Sequence, residues 1–135
     1  MASSPAGLVR RFYDELWNAA NEAVAAEILD PDFAFRGSLG PESRGVPPFL
    51  AYLRAIHAAL GDYRCMIGTL ISDGQQAAAR MTFAGRHRGM LLGVPATGRE
   101  IAWQGAAFFE IAAGRIASLW VLGDIDALRT QLTGT

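Results

Sequence analysis

The spacing of apolar residues changes once along this 135-residue chain, and the change divides it into a helical part and a strand part. Before Gly61, apolar residues recur every three or four positions, which is typical of amphipathic helices. After Gly61 they alternate with other residues, as they do in strands. Helices followed by a run of strands predict an α+β fold in which the N-terminal helices pack on one face of a curved antiparallel sheet.

The helical part contains three predicted helices and one short strand. Ser4-Pro5 is typical of a helix start, and two adjacent apolar rows follow it at i, i+4 spacing. Asp30-Pro31 ends the second helix, because the residue before a proline is pushed out of the helical region. The predicted elements are a helix over 5–19, a short helix from Asn21 to Asp30, a strand over 33–36, a loop over 37–48 and a helix ending at Gly61.

The strand part predicts two hairpins and a last helix. Asp73-Gly74 is a strong signal for a tight hairpin turn. The strands are apolar on both faces, so we expect one face to meet the helices and the other to meet a second subunit in a homodimer. The predicted elements are strands over 63–72, 75–85, 99–111 and 116–122, a loop over 87–98, and a helix from Asp124 through Leu132.

Composition narrows the class of protein. The length predicts a single domain over residues 1–135. A net charge of −1, with arginine as every basic residue, disfavours binding to nucleic acid. The single cysteine, Cys65, excludes an internal disulfide framework. The N-terminus lacks the pattern of a secretory signal and no run approaches a membrane span, so we expect a cytoplasmic protein.

Asp124 is the first candidate for chemistry. It follows the apolar strand 116–122, and a carboxylate at a strand end can project into a pocket. Burial would raise its pKa and suit it to act as a general base near neutral pH. The alternative is that Asp124 is the N-cap of the last helix, which is a common role of aspartate.

The two histidines are weaker candidates. His87 begins the loop 87–98, where it either contributes to binding or proton transfer or is a solvated loop residue. His57 lies on the edge of the third helix, where a structural role is the usual explanation. Since no zinc-binding spacing of histidine and cysteine is present, we predict no metal site.

Amphipathic aromatic residues suggest where a flat apolar ligand would bind. Tyr13 and Trp103 are the leading candidates, because large aromatics with a polar tip are costly to bury without a partner. The amide of Gln104 is either exposed or directed at a ligand. The full set of candidate pocket residues is Tyr13, Trp17, Phe35, Met90, Trp103, Gln104 and Trp120.

Several segments, in order, together resemble the SnoaL-like polyketide cyclases, a family of the nuclear-transport-factor-2-like superfamily that also contains ketosteroid isomerase. The most specific is the stretch 85–99 combined with Trp120 and Asp124. The segments are Phe12-Tyr13-x-x-x-Trp17-Asn18, Leu29-Asp30-Pro31-Asp32-Phe33, residues 85–99, Gly114-Arg115-Ile116, Trp120-x-x-x-Asp124 and Leu128-x-x-Gln131-Leu132.

The resemblance implies a cone-shaped α+β barrel around an apolar pocket, usually in a homodimer. In these cyclases an aspartate near the end of the last strand removes a proton α to a carbonyl, and an intramolecular aldol step closes a ring without a metal or organic cofactor. Asp124 occupies the matching position. A histidine assists that aspartate in the cyclases, and His87 is the nearest motif histidine in this chain.

We therefore expect a cofactor-independent enzyme that acts on a small apolar or aromatic ligand containing a carbonyl, with Asp124 as the base. Tyr13, Gln104 or His87 would donate a hydrogen bond to the developing enolate oxygen. Two alternatives stay open: an isomerase or hydratase that uses the same pocket, and a binding module without chemistry in which Asp124 only caps its helix.

Overall fold

The computed structural model describes residues 4–134, and the N-terminal helices pack on one face of a six-stranded sheet. None of the helices in this range is long and apolar enough to cross a bilayer. The elements are α1 (Pro5–Arg11), a π-helix (Phe12–Asn18), a 3₁₀ turn (Glu22–Val24), α2 (Ala25–Ile28), β1 (Leu29–Arg36), β2 (Glu42–Arg44), α3 (Val46–Ala59), β3 (Leu60–Asp73), β4 (Gln76–His87), β5 (Glu100–Ala112), β6 (Arg115–Gly123) and α4 (Ile125–Thr133).

The first helix changes its winding part of the way along. Ser4 caps it as predicted, its hydroxyl accepting a hydrogen bond from the Gly7 amide at 3.0 Å. From Phe12 to Asn18 the backbone is a π-helix and not the α-helix that the sequence predicts. The wider turn brings Phe12, Tyr13, Leu16 and Trp17 into the core. Such π-helical segments are rare and occur frequently at functional sites.

The strands form one curved, open sheet in the order β2-β1-β6-β5-β4-β3. Every neighbouring pair is antiparallel except β1 and β6, which run parallel with Phe35 opposite Leu119. The prediction of an antiparallel sheet is therefore wrong at this pair, and the cone is not closed into a barrel. Parallel neighbours need a long crossover connection, and the chain from 37 to 114 provides it.

Local signals place the turns within a residue or two. The β3–β4 turn consists of Gly74 and Gln75, one residue later than predicted. Ala113 and Gly114 join β5 to β6, both at positive φ (51° and 75°), as a type I′ hairpin turn requires. The predicted loop 37–48 contains the short strand β2, which pairs with the end of β1.

Two side-chain amides complete the sheet where a neighbouring strand is missing. On the edge strand β3, the Asn18 amide donates to the Cys65 carbonyl (2.9 Å) and accepts from the Cys65 N–H (2.7 Å). On β5, beyond the end of β6, Gln131 makes the same pair of bonds to Ala102, at 2.6 and 2.8 Å. Each amide satisfies a strand's backbone groups and attaches a helical segment to the sheet.

Candidate functional site

The helices and the inner face of the sheet enclose a small aromatic cavity. Its volume is about 20 Å³, which is room for a single water. Its lining comes from the π-helix, β1 and the loop after it, α3 and the inner faces of β3, β4 and β6. The lining residues are Phe12, Tyr13, Trp17, Phe35, Gly37, Ser38, Tyr52, Tyr63, Cys65, Phe83, Leu119 and Val121, with no charged side chain among them.

Three of the predicted pocket residues line this cavity: Tyr13, Trp17 and Phe35. Trp103 lies directly behind the lining, with its ring 5.5 Å from Phe83 between centroids. All four side chains are buried. The amphipathic-aromatic argument therefore identified Tyr13, Trp17 and Trp103 on the inner side of the fold.

Two hydrogen-bond donors in this region are buried without a partner. The Tyr13 hydroxyl and the Trp103 indole N–H find no acceptor among the residues that the structure describes. A buried polar group without a partner costs about 1–3 kcal/mol, so such groups in a native fold need an explanation. The Tyr13 hydroxyl belongs to a lining residue of the cavity, and the Trp103 indole nitrogen lies behind the wall beside Gly123.

Burial keeps the ionisable groups of the cavity neutral. It raises the pKa of Tyr13 and Tyr63 well above the usual range of a phenol. It raises the pKa of Tyr52 to about 12, against the opposing effect of hydrogen bonds from the backbone of Leu39 and from Ser38. The pKa of the Cys65 thiol is raised in the same way. The cavity thus presents hydroxyl groups and a thiol, all protonated at neutral pH.

At one end of the cavity, two positions have too little space for a side chain larger than glycine. A Cβ on Gly37 would lie 2.6 Å from the Tyr52 hydroxyl oxygen. A Cβ on Gly123 would lie 2.8 Å from the Ser38 Cβ and 3.2 Å from the Trp103 indole nitrogen. The loop after β1 and the end of β6 therefore meet at backbone distance, and the polar atoms of Ser38, Tyr52 and Trp103 gather there.

Asp124 follows Gly123 at this end of the cavity, but its side chain is exposed and does not line it. One carboxylate oxygen accepts a hydrogen bond from the Ala127 N–H at 3.1 Å, which makes Asp124 the N-cap of α4. The alternative that the sequence left open, a helix cap, is present in the structure. The side chain of Asp124 is exposed and is not in the desolvated environment that a poised base requires. The catalytic role of Asp124 therefore stays a prediction.

His87 is buried at the end of β4, so of its two alternatives the solvated loop residue is wrong. Its Nδ1 lies 2.9 Å from the Thr97 hydroxyl oxygen and accepts from the Thr97 N–H at 3.2 Å. Its Nε2 has no partner among the described residues. His87 does not line the cavity, and its bonds to Thr97 tie the two ends of the loop 88–99 together.

The remaining predicted pocket residues are exposed. Met90 lies on the loop after β4, while Gln104 and Trp120 lie on the outer face of the sheet. The inner residues of β6 are Leu119 and Val121, so the alternation of a strand directs Trp120 outwards. The sequence could not assign the faces, because both are apolar.

Sequence reasoning missed several residues at the site. Tyr52 and Tyr63 are amphipathic aromatics like Tyr13 but were not chosen as pocket residues, and Ser38 lies in a segment without a distinctive motif. His57 donates to or accepts from nothing in the cavity, but its Nε2 lies 2.9 Å from the Trp17 carbonyl oxygen and its ring stacks on Trp17. Its predicted structural role is consistent with these contacts.

Within residues 4–134, no group of three or more His, Cys, Asp or Glu side chains is placed to hold a metal ion.

Comparison with known proteins gives this cavity a context. The chain is 29% identical to the aklanonic acid methyl ester cyclase DnrD of Streptomyces peucetius over 117 residues, which cover 84% of this chain and 80% of DnrD. It is 31% identical over 113 residues to the cyclase of the same substrate, DauD, from Streptomyces sp. (strain C5), covering 81% and 69% of the two chains.

The fold has close counterparts among solved structures. TsrD from Streptomyces laurentii superposes with a TM-score of 0.84 at 28% identity, over 95% of this chain and 93% of TsrD. The profile of the SnoaL-like polyketide cyclases matches residues 7–132, a range that includes every element of the cavity wall. With its helices, open curved sheet and inner cavity so matched, the chain belongs to the SnoaL-like polyketide cyclase family.

Proposed function

We propose that this protein closes a carbon ring in a neutral polyketide-type substrate by an intramolecular aldol addition, without a metal or organic cofactor. The substrate occupies the inner cavity. The observation that carries the proposal is the pair of buried donors without partners, the Tyr13 hydroxyl and the Trp103 indole N–H. Family membership and the two aklanonic acid methyl ester cyclases supply the reaction class.

Tyr13 and Trp103 are suited to stabilise an enolate. When a proton leaves the carbon next to a carbonyl, negative charge develops on the carbonyl oxygen. Fixed donors in a site without water stabilise that charge more than they stabilise the neutral carbonyl. The raised pKa of Tyr13 keeps its proton in place for donation.

The chemistry of the wall selects for a neutral substrate. A free carboxylate in the cavity would lose its hydration and meet no cation, since none of the lining residues is charged. An ester carries the same carbonyl without that charge. DnrD and DauD are cyclases of a methyl ester, which agrees with this selection.

Asp124 is the proposed base. It follows Gly123, which contacts the polar end of the cavity at Ser38 and Trp103. In the proposed step, its carboxylate takes the α proton and the C–H electrons form the enolate. The enolate carbon then attacks a second carbonyl, and the resulting alkoxide receives the proton from Asp124. Product and substrate have the same composition, so no oxidant or reductant is required.

Binding requires the cavity to expand. A space of about 20 Å³ cannot hold a ring system, whereas typical ligand pockets are roughly 300–1,000 Å³. The part of the wall without helix or strand is the loop at 37–41, which rests on the Tyr52 hydroxyl. We infer that this loop moves outwards when the substrate enters and brings the Asp124 side of the cavity into contact with it.

The test is turnover of aklanonic acid methyl ester, followed by chromatography and mass spectrometry for a product of unchanged mass. Tyr13→Phe and Trp103→Phe should each lower kcat by about 10²–10³-fold, as expected for loss of an oxyanion donor. Asp124→Asn should lower it by about 10²–10⁴-fold, because asparagine caps a helix equally well but cannot take a proton. Asp126→Asn, an exposed carboxylate in the same helix, is the matched control.

The exposed position and capping bond of Asp124 favour one alternative, a small-molecule binding module without chemistry. Ligand binding in the cavity that is lost with a bulky Gly37→Val substitution, together with no turnover of any carbonyl substrate, would support that alternative. A product with a shifted double bond would support an isomerase. Full activity of the Asp124→Asn protein would exclude Asp124 as the base.

A further inference from the structure

The turn between β1 and β2 closes one end of the inner cavity. It spans residues 37–41, and we call it the hairpin tip. Two backbone hydrogen bonds make it compact: the Gly40 N–H donates to the Gly37 carbonyl at 3.0 Å, and the Gly37 N–H donates to the Pro41 carbonyl at 3.3 Å. Because both bonds lie within the tip, the tip can move as a unit without breaking them.

The base of the same hairpin is fixed to the sheet. The Arg36 guanidinium donates to the Val121 carbonyl on β6 and lies over the Trp120 ring, 5.2 Å from its centroid. The backbone of β1 also pairs with β6 as far as Arg36, which lies opposite Trp120. An outward movement of the hairpin tip therefore pivots between Arg36 and Glu42 and leaves the β1 wall of the cavity in place.

Tyr52 of α3 holds the hairpin tip against the rest of the protein. The Leu39 N–H and the Ser38 hydroxyl both donate to the Tyr52 hydroxyl oxygen. The contact is close, since a Cβ on Gly37 would lie 2.6 Å from that oxygen. The Tyr52 ring is itself packed on Phe35, with 5.2 Å between the ring centroids. Tyr52 thus joins α3 to the part of the hairpin that is free to move.

An outward movement of the tip would take both partners away from the Tyr52 hydroxyl. Tyr52 lines the inner cavity, so its hydroxyl borders the space that the tip leaves. A ligand that fills this space keeps water away from the hydroxyl, and a polar group that is shielded from water without a partner is costly. An oxygen atom on the ligand removes that cost by accepting a hydrogen bond from Tyr52.

We propose that the Tyr52 hydroxyl changes its partner when a ligand binds: it holds the hairpin tip in the closed protein and donates to a ligand oxygen in the open one. The inference rests on the proposed function only in that the inner cavity takes up a neutral ligand with a carbonyl. Tyr52 is then a ligand-binding residue that the closed structure masks, whereas Ser38 only holds the tip. Ligand affinity combines the cost of opening with the bond gained from Tyr52.

Alkylation of Cys65 by N-ethylmaleimide measures opening without a ligand. Cys65 is the single cysteine of the chain, is buried and lines the cavity, so the reagent reaches it only when the cavity opens. Ser38→Ala should raise the rate about three- to tenfold, as expected when the closed state loses one hydrogen bond. Tyr52→Phe should raise it further, because it removes the acceptor of both bonds. Ser118→Ala, which removes a hydroxyl that does not line the cavity, should leave the rate unchanged.

The edge of the sheet at β3 is the competing route to this thiol. There the Asn18 amide bonds to the backbone of Cys65, at 2.9 and 2.7 Å. If Asn18→Ala accelerates the alkylation while Ser38→Ala and Tyr52→Phe do not, the reagent enters from the edge, and the proposed role of Tyr52 in holding the tip is overturned.

Binding of aklanonic acid methyl ester separates the two roles of Tyr52. Stopped-flow tryptophan fluorescence gives the affinity before turnover. Ser38→Ala should tighten binding by the same factor by which it accelerates alkylation, since it changes only the cost of opening. Tyr52→Phe should fall short of its own acceleration factor by about three- to tenfold, because the bond to the ligand is lost as well.

Two results would overturn the change of partner: binding that tightens by the full acceleration factor in Tyr52→Phe, or no binding of the ester to the unmodified protein and both variants. The expected order of affinities without turnover of the ester would have a different meaning. It would contradict the proposed cyclisation and would support Tyr52 as a ligand-binding residue.

Discussion

Phe108 and Phe109 are neighbours on β5, yet they belong to the two contrasting faces of the sheet. Phe109 is 1% exposed and packs edge-to-face against Phe12 and Tyr13, whereas Phe108 is 50% exposed and its ring lies 5.9 Å from that of Trp120. Both faces are apolar. The inner face is shaped by helices into a neutral cavity with unpaired donors, while the outer face carries charged side chains among its aromatic residues, such as Arg36 over the Trp120 ring. Apolar character alone therefore does not reveal which face holds the ligand.

Truncating these two phenylalanines should give the largest contrast. Phe109→Ala should reduce the free energy of unfolding by about 3–5 kcal/mol, the usual cost of a buried phenylalanine. Phe108→Ala should change it by less than about 1 kcal/mol in the monomer. Urea denaturation at a concentration low enough to keep the chain monomeric would measure both. Equal losses would mean that the faces do not differ as described.

Removing a side-chain amide should also reduce the free energy of unfolding more on the inner face than on the outer face, but by a smaller amount. Asn18→Ala removes both hydrogen bonds to the Cys65 backbone and should cost about 1–3 kcal/mol. Gln104→Ala, an amide on the outer face whose side chain makes no hydrogen bond within residues 4–134, should stay within about 0.5 kcal/mol. Chemical denaturation and amide hydrogen exchange at Cys65 would both report the difference. Unchanged protection of Cys65 in Asn18→Ala would contradict the role of this amide.

Alkaline pH should lower the free energy of unfolding through the buried phenols of the inner face. The pKa of Tyr52 is about 12 in the folded protein against about 10 for a free phenol. The unfolded chain loses this proton from about pH 10 while the folded chain keeps it, so the stabilisation is complete below pH 10 and lost as pH rises towards 12. One pH unit in this range costs about 1.4 kcal/mol for this group. Unfolding at pH 9 and pH 11 should show a shallower decline for Tyr52→Phe; a parallel decline would contradict this account.

Substitution of Asp124, which follows the end of β6, should give the smallest effect on stability. Asp124→Ala loses the capping bond to Ala127 and should cost about 1 kcal/mol, within a range of roughly 0.5–2. Asp124→Asn should cost almost nothing. Thermal unfolding of the two variants separates the cap from the proposed base, because only the cap is kept in Asp124→Asn. Equal destabilisation by both would indicate that the charge, and not the cap, stabilises α4.

Local periodicity and turn residues were sufficient to predict the fold class and most of its elements. The change of period at Gly61 separated helices from strands, and the hairpins followed from Asp73-Gly74 and from the residues around Gly114. The parallel pairing of β1 with β6 was not predictable in this way. It joins segments that lie far apart in the chain, and its direction is set by packing and not by local sequence.

The site was predicted only in part, for a similar reason. Tyr13 and Trp17 were identified because aromatic residues with a polar tip need a partner, an argument that does not apply to Phe35. Trp120 and Gln104 were placed on the wrong face, since alternation reveals that two faces exist and not which is inside. Tyr52 and Ser38 reach the cavity because glycine at Gly37 and Gly123 allows close contact, which no pattern of polar residues reveals.

The parallel neighbour of β1 has a consequence for the newly made chain. β3, β4 and β5 form successive hairpins, so each finds its partner soon after it is synthesised. β1 must wait until β6 has been made, about 80 residues later, which is on the order of 4–16 s of translation. Throughout that interval Phe33 and Phe35 lack the strand that later covers them on one side. The first strand of the sheet can therefore pair with β6 only after the last strand has been synthesised.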